Sequence, residues 1–283
     1  MAAIVYSTNN LPYTRMALEH LELTSCKKCT EIITVDNGSP EPFPHDLPGN
    51  RLIRYEKNVG GNAVFHRWIM DNWFNGDVPE FMAFFHCDLM IHEVGWDQRV
   101  LDAFDADPKL GIIGFAGSNE IDGWGGRGAG TMLNYSGKYF EGYGQASPAE
   151  AHGRRTDRLE AAAVLDHMSM IFRTSVLRSL TPQEGTYAPE HFYDRILCCE
   201  ALEKGHHIAV LGVACDHFSG GIGPGNAQAD ELRKEWLERE GIPYPPDRSD
   251  LGVYVESERR FKERFGYMIP IKVLPDYTLL RTR

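Results

Sequence analysis

Five apolar runs rich in β-branched and aromatic residues recur along the first half of the chain, and most of them stop abruptly on polar residues. "AAIVYST" meets Asn9-Asn10, and "EIITVDNGSP" stops on Asp36-Asn37-Gly38-Ser39. "NRLIRYEKN" is shorter, "EFMAFFHCD" closes on His86-Cys87-Asp88, and "KLGIIGFAGS" is the fifth. Runs of this length and composition predict strands. Between them lie "LPYTRMALEHLEL", with Pro12 near its start, "GGNAVFHRWIMDNWF" and "VGWDQRVLDAFDAD", whose apolar residues fall at helical spacing. Continuous apolar strands alternating with helices predict an α/β fold, with a mainly parallel central sheet flanked by helices. In such sheets ligands bind beyond the carboxyl ends of the strands. Polar residues gather at three of those ends: Ser7-Thr8-Asn9, Asp36, and His86-Cys87-Asp88. Together they predict a ligand cleft. Cys87 is expected to point into the core, because neighbours on a strand face opposite sides.

The pattern then changes. Residues 118–155 are rich in Gly, Ser and aromatics and read as long loops with a small hairpin. "RLEAAAVLDHMSMIFRTSVL" returns to strand and short helix. "PEHFYDRILCCEALEKG" reads as a helix with an acidic start and a glycine stop, and "HHIAVLGVACDHFSGG" as a strand ending on Asp216-His217. "ADELRKEWLERE" and "VESERRFKERFG" read as charged amphipathic helices. The expected organisation is an α/β domain over residues 1–225 and a C-terminal helical extension, residues 226–283, packed on it.

Several classes are excluded by bulk properties. In 283 residues, 42% are hydrophobic and 24% charged, which is ordinary for a globular chain. No apolar run approaches the roughly 20 residues that span a bilayer. "MAAIVYSTNN" lacks the basic region and cleavage site of a signal peptide, so a cytoplasmic location is expected. The six cysteines, including the "CKKC" pair Cys26 and Cys29, are expected to be free thiols. A net charge of −11 argues against a nucleic-acid partner, and the basic cluster from His152 to Arg158 reads as a solvated loop. Oligomeric state is not written in the sequence.

In order along the chain, "IVYSTNN", "VDNGS", "EKNVGGNAVFHRWI", "FFHCDLMI", "EHFYDRILCCEALEKGHHIAVL" and "DHFSGG" resemble the motif series of GT-A-fold glycosyltransferases, most closely the large inverting group called family 2. The resemblance covers roughly residues 2 to 220. It implies a GT-A, Rossmann-like fold and transfer of a sugar from a nucleotide-sugar donor, UDP-linked, to a carbohydrate or other hydroxyl acceptor. It also implies a divalent ion, Mn2+ or Mg2+, since carboxylate oxygens suit both and a nitrogen ligand tilts the preference to Mn2+. "FFHCDLMI" occupies the place of the DxD motif, which makes Asp88 the metal ligand. His86, standing for the first Asp, would contact the ribose or the metal. His217 matches the family's late histidine and would be a further ligand, with the Gly-rich stretch after it as a lid. Thr8, Asn9, Asp36, Asn58 and Arg67 would line the nucleotide, although Asp36 also suits a cap of the turn "DNGS" and Arg67 a helix surface. Aligning "YDRILC" with the family's helix makes Asp194 the catalytic base, with Glu190 and His191 one helical turn earlier as alternatives. Trp124, Asp122 and Asp166 would contact the sugar or acceptor, with His167 beside them.

Competing readings are fewer. A nucleotidyltransferase would open with a "GGxGTR"-like loop, where this chain has "STNNLPYTR". A module that binds nucleotide-sugars without turnover, and a glycosyltransferase acting on a modified DNA base, are the remaining alternatives.

Overall fold

The computed structural model describes residues 1–26, 29, 31–49, 51–127, 132–134, 154–218, 226–243 and 249–281. The first half runs β1 (Ala2–Ser7), α1 (Leu11–Thr24), β2 (Glu31–Asn37), β3 (Arg51–Tyr55), α2 (Val64–Met70), β4 (Phe81–His86), β5 (Leu89–Ile91), α3 (Trp96–Ala106) and β6 (Leu110–Gly114). Short strands follow: β7 (Gly117–Ser118), β8 (Glu120–Ile121), β9 (Met132–Asn134), β10 (Arg154–Arg155), β11 (Leu159–Ala161) and β12 (Val164–Leu165). The rest comprises β13 (Ser169–Arg173), α4 (Thr174–Ser179), α5 (Tyr193–Glu203), β14 (His207–Leu211), β15 (Cys215–His217), α6 (Asn226–Arg239), α7 (Ser249–Phe265), β16 (Ile271–Val273) and β17 (Leu279–Arg281).

The main sheet has eight strands in the order β11-β14-β6-β13-β4-β1-β2-β3. β4, β1, β2 and β3 are mutually parallel, as the α1 crossover requires. β13 runs antiparallel between β4 and β6, and β14 is parallel to β6. The sheet is therefore mainly parallel, as the apolar runs predict. Side chains alternate between two apolar layers. Ala2, Ile4, Met82 and Phe84 join Phe65 and Trp68 of α2 and Ile196 and Leu197 of α5. Ala3, Val5, Ala83 and Phe85 join Leu18 and Leu21 of α1 and Trp96 and Phe104 of α3. By that parity His86 continues the Met82–Phe84 face. Its ring stands edge-on to Tyr6, the equivalent residue of β1, with centroids 5.3 Å apart.

Four differences from the sequence reading bear on the site. β4 stops at His86, so Cys87 lies in a turn just past the strand; its side chain still packs against the Val5–Phe85 core layer, as expected, with Asn10 Nδ2 at 3.8 Å from its sulfur. α2 is shorter than its periodicity suggests, because Asn72 and Asn75 take positive φ and turn Trp73 and Phe74 back onto the core. α5 starts at Tyr193 rather than at Glu190, since His191 and Phe192 both have positive φ (63° and 59°). The C-terminal extension is not purely helical: β16 and β17 form a hairpin, and β16 pairs with β8 in the loop region. α7 also sends Phe261 and Phe265 into the main core. Among the described residues no helix is long and apolar enough to cross a membrane. The six cysteines are free thiols.

Candidate active site

β4 ends on His86, a turn carries Asp88, and β5 then pairs antiparallel with β15, with Leu89 opposite His217. That short ladder brings His217 to the end of β4 from far along the chain. His217 Nε2 lies 3.3 Å from Asp88 Oδ1 and 3.4 Å from His86 Nδ1, and His86 Nδ1 lies 3.7 Å from the same Asp88 oxygen. Among the described residues this is the only trio of His, Cys, Asp or Glu whose candidate ligand atoms lie within 4.8 Å of one another. Burial, with His167 adding to it, pushes His86 down to about 3, so its imidazole is neutral and carries a lone pair. Burial alone would raise Asp88, but the neighbouring His217 outweighs it and holds the carboxyl below its ordinary value. Reciprocally, Asp88 raises His217 against the effect of burial. Two imidazole nitrogens and one carboxylate oxygen fit a divalent cation, and this mixed set suits Mn2+ better than oxygen-seeking Mg2+.

A second cluster adjoins the first. Asp194, buried in the first turn of α5, has Oδ2 at 3.3 Å from Arg127 Nη2 and 3.5 Å from His167 Nδ1, while Oδ1 accepts the Arg195 N–H at 2.8 Å. Arg127 Nη1 donates to Asp166 Oδ2 at 2.5 Å, and Asp166 Oδ1 accepts the Met168 N–H at 2.9 Å. His167 touches both clusters: its ring centroid is 4.6 Å from that of His86 and 5.0 Å from that of Tyr193. Burial would raise both carboxyls. For Asp194 the hydrogen bond from His167 and the charges of Arg195 and Arg127 overcome it; for Asp166 Arg127 does so first. Both sit well below the usual carboxylate range. Arg127, raised by the same pairs, stays a cation.

Of the residues expected to matter, the structure thus brings together His86, Asp88, His217, Asp166 and Asp194. Others have structural duties. Asp36 is fully buried; its Oδ1 accepts the Ser39 N–H at 3.0 Å, and its Oδ2 accepts the Phe43 N–H at 3.1 Å and pairs with Arg54. It caps the turn, and its carboxylate has no exposed surface. Arg67 pairs with Glu184 and Asp71 and lies over the Tyr55 ring, so its charge is neutralised on the helix surface. Asn58 Oδ1 accepts from Asn37 Nδ2 and from the Gly60 N–H, both at 2.9 Å, and shapes its own loop. Thr8 Oγ1 donates to the Asn37 carbonyl at 3.0 Å, and the Asn9 N–H donates to Ser39 Oγ at 2.7 Å. Both residues remain half-exposed at the carboxyl end of β1.

Glu190 is held by Arg233 of α6, whose Nε donates to Oε2 at 2.6 Å, and His191 packs against Tyr254 of α7. Neither alternative base shares the Asp194 cluster. Asp122 Oδ1 accepts the N–H groups of Trp124 (2.8 Å) and Gly126 (2.7 Å), so this carboxylate organises its own turn. Trp124 is 72% exposed, with Lys262 Nζ 4.1 Å above its ring. The Gly-rich stretch expected as a lid, residues 219–225, lies outside the described residues, as do His152 and Gly153 of the basic cluster. Arg127 was not anticipated. It sits in a glycine-rich loop, and its two carboxylate partners are 39 and 67 positions away.

Comparison with known proteins follows the same line. The chain superposes on a crystal structure of GalNAc-T7 with UDP, GalNAc and Mn2+ at a TM-score of 0.54 and 10% identity. The match covers 95% of this chain and 57% of that one, so this chain spans little more than half of its length. The crystal structure of S. aureus TarS 1-349 matches at 0.47 and 14% identity, over 95% of this chain and 74% of that one. A search of curated proteins finds no match. The fold is that of the GT-A glycosyltransferases. Residues 79–229, more than half of the sequence and including His86, Asp88, Asp194 and His217, match the model of the "Glycosyltransferase like family". The chain belongs to that family of transferases.

Proposed function

We propose that this chain transfers a sugar from a UDP-linked donor to a hydroxyl of a carbohydrate acceptor, with inversion at the anomeric carbon, and that it depends on a divalent cation. The observation that carries the reading is the His86–Asp88–His217 trio, set at the carboxyl end of a central strand where ligands of parallel sheets bind. These three residues would hold Mn2+, which when bound supplies a Lewis acid for the two charges of a diphosphate leaving group. The solved GalNAc-T7 structure contains UDP and Mn2+, which supports that choice of nucleotide and ion.

The residues of the chain supply the rest. Asp194 is the base: it is ionised, and it accepts the proton of the acceptor hydroxyl as that oxygen attacks. Burial keeps water away from it, and its place on the first turn of α5 anchors it to a rigid element. Thr8 and Asn9, half-exposed at the neighbouring strand end, contact the nucleoside. His167, in contact with both clusters, lies against the sugar being transferred. Exposed Trp124 offers a ring face to the acceptor sugar.

The test is a panel of nucleotide-sugars with and without MnCl2, read first as thermal stability and then as nucleoside diphosphate release. A ligand that binds only the folded chain stabilises it by about 2.7 kcal/mol at one hundred times its Kd. UDP with MnCl2 is expected to raise Tm by several degrees, and one UDP-sugar to release UDP on turnover. No release from any donor in the panel would leave a binding module without transferase activity.

A further inference from the structure

Asp166, half-buried, and Asp194, buried, are two ionised carboxylates that share one counter-ion. Arg127 lies between them, with Nη1 on Asp166 and Nη2 on Asp194. It is the last residue of a tightly held turn. Asp122 Oδ1 gathers the N–H groups of Trp124 and Gly126, and the Asp122 N–H donates to the Gly126 carbonyl at 2.9 Å. Ile121, at the start of this turn, is buried and pairs with Ile271 of β16. Gly125 has φ +81°, and a Cβ there would stand 2.6 Å from Phe261 of α7 and 3.2 Å from Phe192. Lys262, the next residue of α7, lies over one face of the Trp124 ring. The turn is therefore fixed from both ends by the C-terminal extension, and Arg127 with it.

We infer that Arg127 is a positioning residue for transfer: held by α7 and β16, its guanidinium fixes the orientation and charge of Asp194, so the C-terminal extension is part of the catalytic apparatus. This rests on the reading of Asp194 as the base. An Arg fork reaching two carboxylates at once does what a point charge cannot. Without it, Asp194 would keep His167 and Arg195 as partners but would face the Asp166 carboxylate with no cation between them. A carboxylate must be ionised to accept a proton, so activity falls as pH drops through its pKa. Burial and the like charge of Asp166 would then carry that loss to higher pH.

The experiment compares Arg127→Met, Arg127→Lys and Asp194→Asn with the wild type. It reads UDP release from the donor found by the panel, UDP–MnCl2 binding by calorimetry, and the pH profile of kcat. Arg127→Met is expected to lower kcat about 100-fold, to leave UDP–MnCl2 affinity within about twofold, and to move the acid limb upward in pH. Arg127→Lys is expected to recover about tenfold of the loss. Unchanged kcat and pH profile in Arg127→Met, with Asp194→Asn inactive, would overturn the inference and leave the base assignment standing. Full transfer by Asp194→Asn would overturn both. Should Arg127→Met not fold, Arg127→Lys decides: a kcat about tenfold below wild type with intact UDP–MnCl2 binding supports the inference, and wild-type kcat overturns it.

Discussion

Two carboxylates stand at the carboxyl ends of strands in this sheet, Asp36 on β2 and Asp88 just past β4, and they differ in what surrounds them. Asp36 meets two backbone N–H groups and an arginine, all fixed donors, and has no exposed surface. Asp88 meets two imidazoles, and it stays half-buried. Fixed donors use up the lone pairs of a carboxylate; imidazoles can lose a proton and turn a lone pair towards a shared ion. The same residue type at equivalent places in the fold is thus a structural cap in one case and a metal ligand in the proposed reading of the other. Position at a strand end alone does not make a site; the chemistry of the partners does.

The comparison is broken most severely at Asp88. Asp88→Ala removes the only carboxylate of the trio, and kcat for UDP release is expected to fall by at least about 10³-fold. The Tm increment given by MnCl2 with UDP should vanish in the same variant, while the fold, read by circular dichroism, persists. Near-normal kcat would place any metal elsewhere. Asp36→Ala is expected to do the reverse. It strands two buried backbone N–H groups and half of an ion pair, a loss of about 3 kcal/mol in stability and several degrees in Tm. The turnover number of the folded fraction should stay within about twofold of wild type. A large loss of UDP affinity at unchanged stability would instead restore Asp36 to the nucleotide site.

The sequence made one half of this contrast legible. An apolar strand stopping on His-Cys-Asp is a local pattern, and the strand-end rule gives it meaning. The meeting of His217 with Asp88 is not local, and only the order of motifs suggested it. For Asp36, the turn "DNGS" admits both a cap and a nucleobase contact, and Arg54, whose pairing helps to close off the carboxylate, is 18 positions away. Arg127 left no trace, because a single arginine among glycines has no periodicity to read, and its function comes entirely from contacts with residues 166 and 194. The start of α5 is illegible for a different reason. Acidic Glu190 resembles a helix-start residue, but two consecutive left-handed residues delay the helix to Tyr193, and no side-chain pattern announces them. The β16–β17 hairpin leaves no periodic signal because its strands are three residues each.

The smallest expected effect sharpens the contrast at a cation. Arg67 was a candidate phosphate contact, yet it has two carboxylate partners and an aromatic one. Its side chain and those of Glu184 and Asp71 are all partly solvated, so each pair is screened and contributes little. Arg67→Ala should therefore cost less than about 1 kcal/mol. Because the guanidinium is neutralised where it lies, UDP–MnCl2 affinity should be unchanged within about twofold. Paired titrations of wild type and variant at low salt measure this directly, since weak screening makes any phosphate contact easiest to detect there. A tenfold weaker Kd would mean that Arg67 leaves Glu184 when nucleotide arrives, and that an occupied cation, unlike the buried Asp36 carboxylate, can still be recruited to the site.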